Sequence, residues 1–178
     1  MITNNFKKIM CGILLNSGNT SEGNSTAYPK SAQTLKNIEG NTTTTEEGSA
    51  FGAYPMQSAI NAFNQFKSNT SGSIQGISVR VGTGDTDPTA EDYNIETPAE
   101  GLTVTAIATE PTQGGTKIYT ATIANTTQED INIKEVGLFL SFFRNNTRRE
   151  LYMLDRTKVD ITIPAGETKT YNYEISFN

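Results

Sequence analysis

Between residues 77 and 177 apolar side chains return at every second position, stretch after stretch, and this rhythm restricts the chain to sheets with one buried face. The stretches are Ile77, Val79 and Val81; Leu102, Val104, Ala106 and Ala108; Tyr119, Ala121 and Ile123; Ile131 and Ile133, then Val136, Leu138 and Leu140; Val159, Ile161 and Ile163; and Tyr171, Tyr173, Ile175 and Phe177. The phase slips at Lys134-Glu135, which predicts a β-bulge. A further strand over Leu151–Leu154 brings the number to about seven, joined by turns such as Gln113-Gly114-Gly115 and Pro164-Ala165-Gly166. The expected fold is mostly β: an antiparallel β-sandwich, immunoglobulin-like or jelly-roll-like. No βαβ rhythm is present, so a parallel nucleotide-binding sheet is not expected.

The first part of the chain reads differently. Ile2, Phe6, Ile9, Met10, Ile13 and Leu14 fall on one helical stripe with Thr3 as N-cap, although Gly12 weakens the helix and the same run suits a strand on a neighbouring sheet. The stripe either covers the chain's own domain or docks on another subunit. Residues 16–50 are dominated by Ser, Thr, Asn, Gly and Glu and offer little to bury. Pro55 opens a second helix, in which Met56, Ile60, Phe63 and either Phe66 or Phe51 share a face. The expected division is an N-terminal arm, anchor and polar linker over 1–50, a short helix and connection over 51–72, and the sandwich over 73–178.

Composition removes several kinds of chemistry. Among 178 residues there is no His and one Cys, Cys11, which excludes the usual neutral-pH base, histidine triads, an intrachain disulfide and thiolate metal clusters. The net charge of −5 makes a phosphate backbone an unfavourable partner, so no nucleic acid is expected. Lys7-Lys8 and the apolar run behind them imitate a secretory leader, but the run is only about seven residues and no cleavage site follows. Neither export nor a membrane span is expected, and synthesis belongs to a cytoplasm.

What remains for chemistry is acidic. Asp85, Asp87, Glu91, Asp92, Glu96 and Glu100 follow one another with no basic residue between Asp85 and Glu100. Carboxylates in a loop suit a hard cation, but the Gly and Glu positions of a calcium loop are missing, and a solvated acidic turn is the plainer reading. Glu135, Glu150 and Asp155 lie on strands or strand ends where a hydrolase would need two of them to converge. The default for such residues is the outward face of a sheet. Arg144, Arg148 and Arg149 either decorate a hairpin tip or meet the acidic loop of another copy, and Phe142 and Phe143 beside them are candidates for a sticky patch. Tyr171, Tyr173 and Phe177 alternate as a core face requires, although aromatics also line sugar sites.

Four phrases occur in order: Val81-Gly82-Thr83-Gly84-Asp85-Thr86-Asp87-Pro88-Thr89, Glu135-Val136-Gly137-Leu138-Phe139, Leu151-Tyr152-Met153-Leu154-Asp155-Arg156-Thr157 and Ile163-Pro164-Ala165-Gly166-Glu167-Thr168. Together with Ile2-Thr3-Asn4-Asn5-Phe6-Lys7-Lys8, they resemble small virion proteins of tailed bacteriophages: capsid-attached fibres, collar components and tail parts. The resemblance covers residues 77–177 and the extreme N-terminus, and it carries no catalytic residues. It implies a non-enzymatic subunit without cofactor or metal, located in the virion. It also implies homo-oligomerisation and capsid, portal, neck or tail proteins as partners. The residues expected to serve assembly are Ile2, Phe6, Ile9, Ile13, Phe142, Phe143, Arg144, Arg148 and Arg149. The alternative is a receptor- or glycan-binding module at a fibre or spike.

Overall fold

The alternation resolves into two three-stranded antiparallel sheets packed face to face. A computed structural model describes residues 1–16, 34–44, 76–109, 116–143 and 149–176. In chain order the elements are α1 (Asn4–Asn16), β1 (Thr34–Lys36), β2 (Thr42–Thr44), β3 (Gly76–Gly82), β4 (Leu102–Thr109), β5 (Thr116–Asn125), β6 (Ile131–Phe143), β7 (Arg149–Ile163) and β8 (Thr168–Ser176). One sheet has the order β3-β6-β7 and the other β4-β5-β8, while β1 and β2 form a small hairpin apart. Each large sheet is therefore a hairpin, β6–β7 or β4–β5, extended by a strand from elsewhere in the chain. The helix expected behind Pro55 lies outside the described residues.

The core lies where the alternating residues meet. Val79, Tyr119, Ala121, Ile123, Ile133, Val136, Leu138, Tyr152, Leu154 and Tyr173 are all buried in it. Burying each large side chain is worth about 1.5–3 kcal/mol, so this layer supplies most of the driving force for folding. Tyr173 is a core residue as its alternation predicts, and Tyr171 packs beside it, half-buried. The final turn at Pro164-Ala165-Gly166 uses the left-handed conformation at Gly166, φ 69°, which glycine adopts without strain.

Three bulges shift the strand registers. The expected one shifts the β6–β7 register between Ile133 and Glu135. A second lies in the same pair, where Leu138 opposes Asp155 but Phe139 opposes Met153, leaving Leu154 as the extra residue. A third, between Val104 and Ala106, breaks the alternation read through Leu102, Val104, Ala106 and Ala108: beyond it Ile107, not Ala106, opposes the buried Ala121.

The N-terminal stripe does form a helix, and it packs on its own domain. Thr3 is the N-cap, its hydroxyl accepting from the Phe6 N–H at 3.4 Å. Phe6 and Ile9 are buried in the main core, and Ile2 and Met10 pack against it partly exposed. Leu35 of β1 joins the same core, so part of the segment expected to be arm and linker belongs to the domain. Among the described residues no helix is long and apolar enough to cross a membrane.

Candidate functional site

After Gly82 the chain leaves β3 and returns over the outer face of the β3-β6-β7 sheet. The Thr83 N–H donates to the Thr97 carbonyl at 2.8 Å, and Ala99 N–H to Val81 at 3.1 Å. Two glycines make this path possible. A Cβ on Gly82 would collide with Glu135 Oε1 and stand 2.5 Å from the Thr97 carbonyl oxygen; on Gly84 it would stand 2.5 Å from Glu96 Cβ. No L side chain fits at such separations.

Beneath the loop lies Glu135, on the outer face of β6 and only 1% exposed. Its carboxylate receives the Gly84 N–H at 3.2 Å, the Thr97 N–H at 2.9 Å and the Glu96 N–H at 2.9 Å. Arg156 of β7, itself buried, donates Nε to the same carboxylate at 2.8 Å. Its Nη1 reaches Asp92 at 2.9 Å, and Nη2 reaches the Thr86 hydroxyl at 3.2 Å and carbonyl at 3.3 Å. Glu96 stands 3.6 Å from Nη2. A buried charge pair survives only when such bonds replace its lost hydration, and here they do. Apolar packing of Ile95 with Phe139 and Met153 seals the loop beside this network.

The loop's other acids meet lysines from the strands below. Asp85 pairs with Lys134 at 2.9 Å and Lys158 at 3.0 Å, and Asp87 with Lys158 at 3.3 Å. Hydrogen bonds and attraction from the two lysines hold the Asp85 carboxyl below the ordinary carboxylate range. Burial pushes Asp92 upward, but the Thr89 N–H and hydroxyl together with Arg156 outweigh it, and its carboxyl also lies low. Glu96 is lowered chiefly by the Thr86 N–H and hydroxyl. Desolvation of Arg156 is likewise outweighed, by Asp92 and Glu135, and its pKa rises. These groups stay ionised through neutral pH. Their arrangement acts as a cross-link between loop and sheet.

Between this loop and the β1–β2 hairpin opens a groove of about 570 Å³, lined by Lys36, Glu39, Asp92, Tyr93, Glu96 and Arg156 among others. The Lys36 ammonium sits 3.8 Å from the Tyr93 ring centre, and the Asn94 amide donates to the Ile38 carbonyl at 3.2 Å. Among the described residues no three acidic or Cys side chains gather as a metal site. Four of the loop's acids, Asp85, Asp87, Asp92 and Glu96, are partnered by lysines, by Arg156 or by threonine hydroxyls of the same domain.

The three carboxylates singled out for hydrolysis have different partners. Glu135 faces outward under the loop, Asp155 receives the hydroxyls of Tyr173 and Thr157, and Glu150 receives the Tyr152 hydroxyl. Asp155 and Arg156 lie in mid-strand, and Arg156 turns to Glu135 while Asp155 turns to Tyr173 of the opposite sheet. Of the residues expected to serve assembly, Phe6 and Ile9 are spent on the chain's own core, and Ile2 bridges Asp155 on β7. Phe142 and Phe143 end β6 opposite Glu150 and Arg149. Arg144 and Arg148, and the side chains of Ile13, Phe142, Phe143 and Arg149, lie outside the described part.

Arg156 as the centre of a network is what the sequence reading missed. Its signal was an Asp-Arg pair set directly behind the apolar run Leu151–Leu154, inside a strand where a charge must find a partner. No family model matches the chain, and no curated protein or solved structure matches it.

Proposed function

We propose that this chain is a structural component of a tailed-bacteriophage virion, a capsid-attached fibre, collar or tail subunit that assembles through its N-terminal arm and β-sandwich. Its partners are other virion proteins and further copies of itself. The observation that carries the reading is where three of the four phrases meet. Gly82 and Gly84 of the first, Glu135 of the second and Arg156 of the third form one buried network, in which the glycines make room for the carboxylate and the carboxylate holds the arginine. The fourth phrase lies apart from this network and is held by its own device, the Asn125 amide donating to the carbonyls of Ile163 at 2.9 Å and Pro164 at 3.1 Å. What resembles phage virion proteins is thus the set of groups that locks a loop onto a sandwich, which suits a part whose work is to keep its shape.

Quantitative mass spectrometry of purified particles whose genome encodes the chain tests this. Its peptides should band with the particles at a fixed ratio to the major capsid protein. Peptides confined to the cleared lysate would overturn the reading.

A further inference from the structure

The N-terminal segment is received by a prepared slot. Met1–Thr3 lies against the edge of β7 that faces away from β6: the Thr3 N–H donates to the Leu154 carbonyl at 3.0 Å, the Arg156 N–H to Met1 at 3.2 Å, and the Thr3 hydroxyl to the Met153 carbonyl at 2.8 Å. Asn5 copies a strand's edge with its side chain, donating to the Lys36 carbonyl at 2.7 Å and accepting the Lys36 N–H at 2.9 Å. At the mouth, the Asn4 amide donates to Glu91 at 2.6 Å. Every group of the slot named here comes from residues 36, 91 and 153–156, and none from the chain adjoining the helix. Without an occupant, β7 would present unpaired backbone groups beside an apolar hollow, the kind of edge that recruits another chain.

Nothing in these contacts requires the occupant to come from the same molecule. The seventeen residues 17–33 join α1 to β1 and can bridge up to about 55 Å. They are nearly all small or polar, so carrying the arm elsewhere forfeits little burial of their own. Contacts in cis and in trans are the same; the choice is set by linker entropy and by local concentration, which in a packed assembly rivals the millimolar effective concentration of a tether.

We propose that the arm is exchangeable, the β7 slot of one copy receiving residues 1–10 of a second copy, so that neighbouring subunits are strapped together by strand addition and by the buried Phe6 and Ile9. This rests on the assembly role proposed above and names its joint.

The test uses full-length chains in a Cys11→Ser background. One carries Asn4→Cys, another Glu91→Cys, and a third carries both. The two single-cysteine chains are refolded together and treated with a short bismaleimide, which spans positions 4 and 91 only when an arm is seated. Arm exchange predicts a heterotypic cross-linked dimer several-fold above either homotypic dimer. If that dimer stays at the homotypic background while the double-cysteine chain links within itself, the arm is confined to cis and the proposal fails. Should the double-cysteine chain not link at all, the slot is not occupied as described and the proposal fails too. Neither result touches the virion reading, which is decided by the particle composition.

Discussion

Glu135 is the side chain on which the outer loop depends, because it serves Arg156 and three backbone N–H groups at once. Glu135→Ala removes the most buried of the counter-charges of Arg156 and the acceptor of three backbone N–H groups, and should cost about 3–5 kcal/mol, read from the urea midpoint. Replacing the pair together, Glu135→Leu with Arg156→Met, should recover little of that loss, since the N–H groups of Gly84, Glu96 and Thr97 would still lack an acceptor. Asp85→Asn is the contrast: its exposed pairs with Lys134 and Lys158 should leave the midpoint where it is. Glu135 stood out in the sequence only as an acid in a strand. Its partners lie 21 to 51 residues away, and no local spacing reveals a contact at that separation.

Strand by strand, legibility followed contrast. The slip at Lys134-Glu135 was readable because apolar and polar residues alternate on both sides of it. The β7 bulge at Leu154 was hidden, since Leu151-Tyr152-Met153-Leu154 is apolar on both faces and offers no phase to break. In β4 the alanines fit the wrong phase as well as the right one, and only the register showed Ile107 opposite Ala121. Deleting Leu154 should therefore do more than shorten a strand. It moves Asp155 and Arg156 toward each other's faces, and should abolish the cooperative unfolding transition seen by circular dichroism. Asn125 is the matching device at the far end of the sandwich: its amide also donates to the Glu129 carbonyl at 2.8 Å and its oxygen accepts the Thr127 N–H at 2.9 Å. Asn125→Ala should cost about 3 kcal/mol in denaturant unfolding, as several carbonyls lose their donor at once.

For the domain in its entirety, the titrating groups set a window of stability. Burial raises the Tyr119 hydroxyl from 10.0 to about 12, and burial with the charge of Asp155 raises Tyr173 further. These tyrosines favour the fold fully below about pH 10 and lose their contribution as pH climbs through their raised values, Tyr119 alone accounting for about 3 kcal/mol. Tyrosinate absorbance should thus appear together with alkaline unfolding, not before it. At the acid end Asp92 and Glu96 are lowered, so their contribution is present above their unfolded values of 3.8 and 4.5 and disappears as pH falls through the native ones. Acid unfolding monitored by tyrosine fluorescence should begin below about pH 4, and shift toward neutrality in Arg156→Met. The two-layer architecture was legible from period and turn chemistry; the division at residue 50 was not, because Leu35 and the α1 stripe reveal their shared core only in three dimensions.

β6 and β7 are the longest strands among the described residues and are joined by only five residues, 144–148, which makes them a large structure of local contacts. Short loops close first, so this hairpin should nucleate folding. The arm, which must wait for the bulge in β7 and for Lys36, should settle late. Pulse-labelled hydrogen exchange during refolding should then protect the amide of Leu138 before that of Thr3. Given the arm exchange proposed above, a newly made chain would meet other copies with the slot still open, and the timing of synthesis, as much as affinity, would decide whose arm fills it.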